Sequence, residues 1–551
     1  MMTDAAGSSA STNSGVRTKS GRVQSLSVGA TSQILPLLAS YGLNLLATPY
    51  VVSRLGLHDF GIWALTGAMA QYAALLDMGA ARAAQRFVAL FHARGETEND
   101  RAVVGVCVSL ALGLGAVLGT IAFFGAELAQ AVLHTGDVAL TRFLLLCSVC
   151  ILTCGLVARV LAAASFGRGR QLPPNIGLAL LGVLQMTGGV TGLAVEGTLR
   201  GFAVGTAGGA VVGLCAVLIG IYLDEGRITI GRPRIGLTKE VVIFGVHSQV
   251  AGASDVVLFQ SGKLIAGILI GPAAAGAYEL GIRLVQGVQA FGGAVSVAIN
   301  THLTRAYATA GMDGIREQFA RLTRRNAAVA IFLPFLLGAT AVSAVPLWLG
   351  AGHQSAIIVA SALSFGIAVN VATGVCAATM YAIGRPDLAG IEGAVFAAVS
   401  VALAVPCAVA FGFNGLVAAY ACWIPLGNLL GVWFLQSRVG ISLKTFVSAV
   451  AGPFGLAIFA TALSLPINLW AAPETRGEAV GPFLASTVVF CVVYITLGAK
   501  LDYLPSLPLR ALVLRFRDRE PEPEAEIAVA AVDPALTSNL VTDATRRGNG
   551  G

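Results

Sequence analysis

Between Asp255 and Asn300, four ionisable residues interrupt otherwise apolar sequence: Asp255 and Lys263 before Gly271-Pro272, Glu279 and Arg283 after it. Each run is long enough for a bilayer span, which takes about 20 residues. A charge in hydrocarbon costs several kcal/mol, so such residues face a bundle interior or a water-filled cavity. The chemistry on offer is the holding of a charged or strongly polar solute along a pathway. On an ideal helix Glu279, Arg283, Gln286, Gln289 and Asn300 fall within roughly 120°, and Gln249, Gln260 and Lys263 share a roughly 60° sector. Two such stripes suit a hydrated cavity wall. Lys263 and Arg283 are its expected cations. Glu279 and Arg283 also stand at i,i+4, where they can neutralise each other and merely lock helices.

Arg159 and Arg54 extend the set of cations. Arg159 points to the interior or snorkels to the surface. Arg54 ends the first apolar run, where it receives an anion or anchors the interface. Asp77 is followed closely by Arg82 and Arg86 and suits a structural ion pair. Glu392 and Asp255 are candidate proton-responsive acids, and His247 reads as a polar core residue. Cys147-x2-Cys150-x3-Cys154 has the spacing of a metal site, but no His or acid accompanies it locally. No metal, cofactor or catalytic residue is assigned.

The elements that must position these groups are membrane helices. The 551 residues are 56% hydrophobic and 11% charged, with a mean hydropathy of +0.80; a soluble domain carries about 25% charged residues. The expected class is all-α and polytopic, with about fourteen spans near 29–53, 60–80, 101–124, 141–164, 174–195, 200–223, 241–270, 273–303, 327–350, 356–382, 389–411, 415–436, 447–470 and 481–500. With the amino terminus in the cytoplasm and a reversal at each span, 28 of the 35 Lys and Arg residues fall inside. Four (Arg54, Arg142, Arg200, Arg476) fall outside, and three (Arg159, Lys263, Arg283) lie within spans. That bias is a positive-inside signal and puts both termini in the cytoplasm. The net charge of +7 follows from it and implies no nucleic acid. Residues 79–101 read as an amphipathic cytoplasmic helix.

The chain also repeats itself. Leu55 to Leu65 and Ile270 to Leu280 share the pattern aliphatic-Gly-x4-Gly-x-aromatic-x-Leu, 215 residues apart. The same spacing takes Gln71 onto Gln286 and Gly169-Arg170 onto Gly384-Arg385. Internal duplication of this kind is common in transporters. The expected domains are a disordered tail (1–28), a six-helix lobe (29–223), a linker (224–240) and a second, parallel six-helix lobe (241–436). Two further spans (437–500) and a largely disordered tail (501–551) complete the chain.

Residues 45–89 resemble the amino-terminal signature of the polysaccharide transporter, or O-antigen-type flippase, family of the MOP (multidrug/oligosaccharidyl-lipid/polysaccharide) superfamily. The matching positions are Pro49, Leu55, Gly56, Phe60, Gly61, Trp63, Tyr72, Leu76, Asp77 and Gly79, with the second signature at Ile270 to Tyr278. Many members carry Asp-Lys just before that second signature; here it is Gly262-Lys263, and the acid's coupling role does not carry over. The resemblance implies two six-helix lobes around a V-shaped cavity, plus two extra helices. It implies a flippase for polyprenyl-diphosphate-linked oligosaccharide in the bacterial cytoplasmic membrane, working by alternating access for cell-surface polysaccharide. It further implies a monomer among membrane lipids, served by glycan polymerase or ligase partners.

Four other readings compete. A lipid II flippase shares the superfamily. So does a multidrug antiporter, which often carries an acid in its first span, whereas 29–53 holds Gln33 and Asn44 but no acid. A membrane glycan polymerase or ligase needs an outer loop rich in Arg and His, and the expected outer loops are short and poor in charge. A scaffold with an inactive cavity would have no need to keep its interior charges.

Overall fold

The computed structural model describes residues 26–77 and 79–504; within that range the side chains of 26–40, 235, 246–253, 255, 294–298, 301, 386, 435 and 436 lie outside the description. The expected tails over 1–28 and 501–551 fall almost wholly outside the described residues, as do the side chains of Asp255, His247 and Gln249.

The chain is all-α among the described residues. Helix α1 (Leu26–Ala73) ends in a 3-10 turn (Ala74–Asp77). There follow α2 (Ala80–Ala93), α3 (Thr97–Phe124), α4 (Ala126–Leu133), α5 (Val138–Gly167), α6 (Leu172–Glu196) and α7 (Leu199–Glu225). The second series is α8 (Ile235–Leu269), α9 (Pro272–Ala330), α10 (Phe332–Leu349), α11 (Gln354–Ala382), α12 (Pro386–Val439), α13 (Leu443–Ala471) and α14 (Arg476–Lys500). Side chains of Asp137, Thr198, Ser442 and Thr475 cap the starts of α5, α7, α13 and α14 by accepting from free backbone N–H groups.

Nine helical segments among the described residues are long and apolar enough to cross a membrane. The fourteen helices and the fourteen expected spans do not correspond one to one. Helix α12 turns at Gly412 (φ 61°, ψ −145°) and folds back on itself, supplying two spans. Across that hairpin Trp423 Nε1 donates to the Phe396 carbonyl at 3.1 Å, and the two rings stack at 6.0 Å. Helix α1 likewise breaks at Gly56 (φ 74°, ψ 171°), so that Val51 and Phe60 join one core. Helices α2 and α4 are too short to cross. The first is the amphipathic helix expected after Gly79, with Ala80, Ala83, Ala84 and Val88 buried. The second lies in a stretch expected to be loop.

The repeat extends well beyond its signature. Glycines with positive φ occur at Gly56 and Gly271, at Gly169 and Gly384, and at Gly197 and Gly412, each pair 215 residues apart. Gly95 with Gly311 and Gly226 with Gly440 keep that spacing to within one residue. Only glycine enters this backbone region without strain, so the two halves turn at equivalent places for the same reason.

The two signature copies meet each other. A Cβ on Gly61 would collide with the Pro272 carbonyl, and a Cβ on Gly276 would lie 2.5 Å from the Leu57 carbonyl oxygen. Gly61 is the counterpart of Gly276, and Leu57 of Pro272. The crossing of α1 and α9 is therefore symmetric, with each glycine receiving the backbone of the other copy. Small residues allow membrane helices to approach this closely.

One core gathers α2, α3, α5 and parts of α6 and α7; others gather α9 to α14. Helix α8 belongs to both. Val241 and Phe244 sit in the first core, Leu258 and Ile265 in the second. The Arg86 guanidinium lies 4.3 Å from the centre of the Phe244 ring, and Gly231 N donates to the Arg101 carbonyl at 2.8 Å. The linker and the start of α8 are thus fastened to the first bundle.

Candidate functional site

Just beyond the α1–α9 crossing, three charged side chains form a knot. Lys263 Nζ on α8 donates to Glu279 Oε2 at 2.7 Å, and Arg283 Nε on α9 donates to Glu279 Oε1 at 2.8 Å. Arg283 NH1 also donates to Thr48 Oγ1 on α1 at 2.9 Å, and its guanidinium lies 5.1 Å from the centre of the Phe60 ring. Lys263 and Glu279 are 7% and 8% exposed, whereas the Arg283 side chain keeps 22%. Two cations share one carboxylate, so the knot carries a net positive charge at the seam between the bundles. A buried charge must be paired and hydrogen-bonded to be tolerated, and Glu279 serves both cations at once. Arg283 reaches a small pocket of about 120 Å³ with Asn44, Phe60, Trp63 and Gln185.

Next to it is a cavity of about 540 Å³ whose polar lining is Tyr41, Gln286, Gln289, Asn300, Asn370 and Tyr381. The pockets are neighbours along both helices, since Asn44 and Tyr41 are one turn apart on α1 and Arg283 and Gln286 one turn apart on α9. The α9 stripe from Glu279 to Asn300 rises about 30 Å, the thickness of a bilayer core. Its charged end adjoins the glycine crossing; its neutral end approaches the arginine-rich segment after Asn300.

The structure brings Lys263, Glu279 and Arg283 together, and separately Gln286 and Asn300. Gln260 sits half-buried on α8, outside the lining of that cavity, its Oε1 without a partner among the described residues. Arg159 is exposed to solvent although protein surrounds it closely, as for a side chain lining a cleft; Asp77 lies within electrostatic reach of it and of Arg82. Asp77 Oδ1 also accepts from Gly79 N at 2.8 Å. Arg54 is exposed beside the break at Gly56, 5.7 Å from the Tyr50 ring centre. Glu392 is half-buried with its carboxylate against Gly431, and no ion pair to it occurs among the described residues.

Sequence reasoning missed several groups. Thr48 and Phe60 complete the Arg283 site from α1. Asn370 and Asn428 are single amides in apolar runs, a signal easily passed over. Arg168 reads as a loop residue, yet it is buried between Asp100 and Glu225, with bonds of 2.8 and 3.0 Å. No group of metal-ligating residues occurs among the described residues, the three clustered cysteines included.

The all-α fold is like that of solved MOP-superfamily transporters. A multidrug resistance MATE family transporter of that superfamily, solved in an inward-facing conformation, superposes with a TM-score of 0.63 at 15% identity over 75% of this chain and 99% of its own. The lipid II flippase MurJ, in an inward closed conformation, gives 0.60 at 12% identity over 85% of this chain and all of its own. No protein-family model matches the chain. Among curated proteins, the uncharacterized membrane protein EpsK of Bacillus subtilis (strain 168) is 23% identical over 450 residues, covering 79% of this chain and 87% of its own.

Proposed function

We propose that this chain is a flippase carrying polyprenyl-diphosphate-linked oligosaccharide across the bacterial cytoplasmic membrane, by alternating access of two lobes, for cell-surface polysaccharide. The observation that carries this reading is the knot's surplus positive charge at the head of a roomy cavity whose polar groups are neutral among the described residues. A diphosphate needs a cation to leave water. Arg283, still partly exposed, offers one without giving up Glu279. Lys263 sets the local excess of charge, while Arg159 and Arg54 mark further cationic steps along the path. Asp255 and Glu392 are the acids through which protons would couple, while Asp77 pairs with its arginine neighbours. The glycine crossing closes the end remote from the basic loops, so the cavity faces the cytoplasm in this state. The bias of basic residues in the sequence supports both termini being on that side.

The test is deletion of the gene followed by analysis of lipid-linked intermediates. Accumulation of one undecorated species on the inner leaflet, cleared by re-expression, is expected. Normal outer-leaflet appearance of every lipid-linked glycan in the deletion strain would overturn the reading. The extent of the likeness to MurJ favours lipid II as the second reading. Accumulation of lipid II alone would select it.

A further inference from the structure

We propose that the α9–α11 wall of the large cavity is a subsite for the neutral sugars of the cargo, distinct from the cationic knot; this rests on the flippase reading. Among the described residues, the lining of the cavity contains no carboxylate, lysine or arginine. Among those residues it offers no fixed charge to pair with a diphosphate or an organic cation. It presents amides and phenols, which both donate and accept, as sugar hydroxyls do.

The wall is braced from behind. Asn370 Oδ1 accepts from Gln289 Nε2 at 3.3 Å, and Asn370 Nδ2 donates to Asn428 Oδ1 at 3.1 Å. Thr373 Oγ1 donates to the same Asn428 oxygen at 3.0 Å, and Asn428 Nδ2 donates to the Ile424 carbonyl at 2.7 Å. This chain of bonds through α9, α11 and α12 holds Asn370 and Gln289 in fixed orientations, the preorganisation a binding surface needs. Asn300 Oδ1 is buried behind the same lining with no partner among the described residues. Tyr41 and Tyr381 are 37% and 46% exposed and offer ring faces to the apolar C–H faces of a sugar. About 540 Å³ is ample for a ligand, since such sites run about 300–1,000 Å³. Gln289 stands about 9 Å along α9 from Arg283, so a head group at the knot puts the sugars beyond the first against this wall.

The experiment uses the full chain in proteoliposomes with two probes: polyprenyl diphosphate carrying a single hexose, and the same carrier bearing an oligosaccharide. The Gln289→Ala/Asn370→Ala double variant should flip the oligosaccharide carrier about tenfold more slowly, the loss of one or two neutral hydrogen bonds. It should flip the single-sugar carrier at close to the wild-type rate. Gln286→Ala and Tyr381→Ala provide a second pair on side chains the bracing bonds do not use; Tyr381→Phe should retain most activity because it keeps the ring. Equal loss on both probes, or no loss on the oligosaccharide carrier, would overturn the subsite while leaving the flippase intact. A wild-type protein that flips neither probe would overturn the flippase reading and the subsite with it.

Discussion

Gly276→Ala places a methyl group 2.5 Å from the Leu57 carbonyl oxygen, where ordinary contact begins near 3.4 Å. Backbone cannot swing aside as a side chain can, so α1 and α9 must part by about 0.9 Å in a close-packed seam. Overpacking of this kind costs about 1–3 kcal/mol. If the crossing seals the side remote from the basic loops, that cost shifts the closed-to-open ratio by about 5- to 150-fold. Gly61→Ala meets the Pro272 carbonyl more closely still and should shift it further. The assay is the labelling rate of Val52→Cys by a membrane-impermeant maleimide applied from the side of residues 125–140. Val52 is 5% exposed in the core that includes Phe60 and Leu280. Gly287→Ala on the same helix is the control, because a Cβ there meets nothing within 4 Å. Wild-type labelling of Gly276→Ala, with normal abundance and flipping, would show that the crossing is not the outer seal.

Four further outcomes are expected. Glu279→Gln strands Lys263 and Arg283 and should cost about 3–5 kcal/mol, read as a lowered Tm in detergent; the triple change of Lys263, Glu279 and Arg283 to Met should regain stability but not flipping, and an unshifted Tm for Glu279→Gln would discredit the knot as a structural unit. Arg283→Ala and Lys263→Ala should each cut translocation strongly at matched abundance, with Arg283→Lys partly active because charge outweighs fork geometry in a wet site; wild-type flipping by the double alanine variant would remove both from the mechanism. Arg168→Ala leaves Asp100 and Glu225 buried side by side and should cost about 3–5 kcal/mol, measured in the same melt, whereas a neutral result would mean water reaches the triad. Single cysteines in 125–140 and 305–325 should label from opposite sides of the membrane, and labelling from one side would undo the fourteen-span topology.

The bundle architecture was legible because hydrocarbon imposes it. A long apolar run has few other fates, and the basic residues mark one side. The repeat was legible in Gly56 and Gly271 because a required backbone conformation restricts the residue type. Contacts between faces were less so. The i,i+4 spacing of Glu279 and Arg283 announces their pairing, but nothing local shows that Lys263, sixteen residues earlier, takes the other oxygen. Thr48 and Phe60 join through a bend whose angle no periodicity encodes. Arg168 looked like an ordinary member of a basic loop because its acids, Asp100 and Glu225, are far away in sequence. Glycine turns leave α1 and α12 each one helix in hydrogen bonding, so helix and expected span agree only once those two are counted twice and α2 and α4 are set aside.

The symmetric crossing has a further meaning. A patch in which each partner offers the same groups to the other is what joins the subunits of a two-fold homodimer. This chain carries both copies of such a patch, so its seam is a dimer interface made covalent. Two identical subunits must change together: an acid and an arginine gained by one are gained by the other, and the charges crowd the axis in duplicate. Fusion lifts that constraint. The counterparts of Glu279 and Arg283 are Ala64 and Ala68, 6% and 0% exposed, and the counterpart of Lys263 is Thr48, which receives Arg283. One copy carries alanines where the other is ionic. The ionic cluster on α8 and α9 therefore sits to one side of the axis that relates the two copies of the signature.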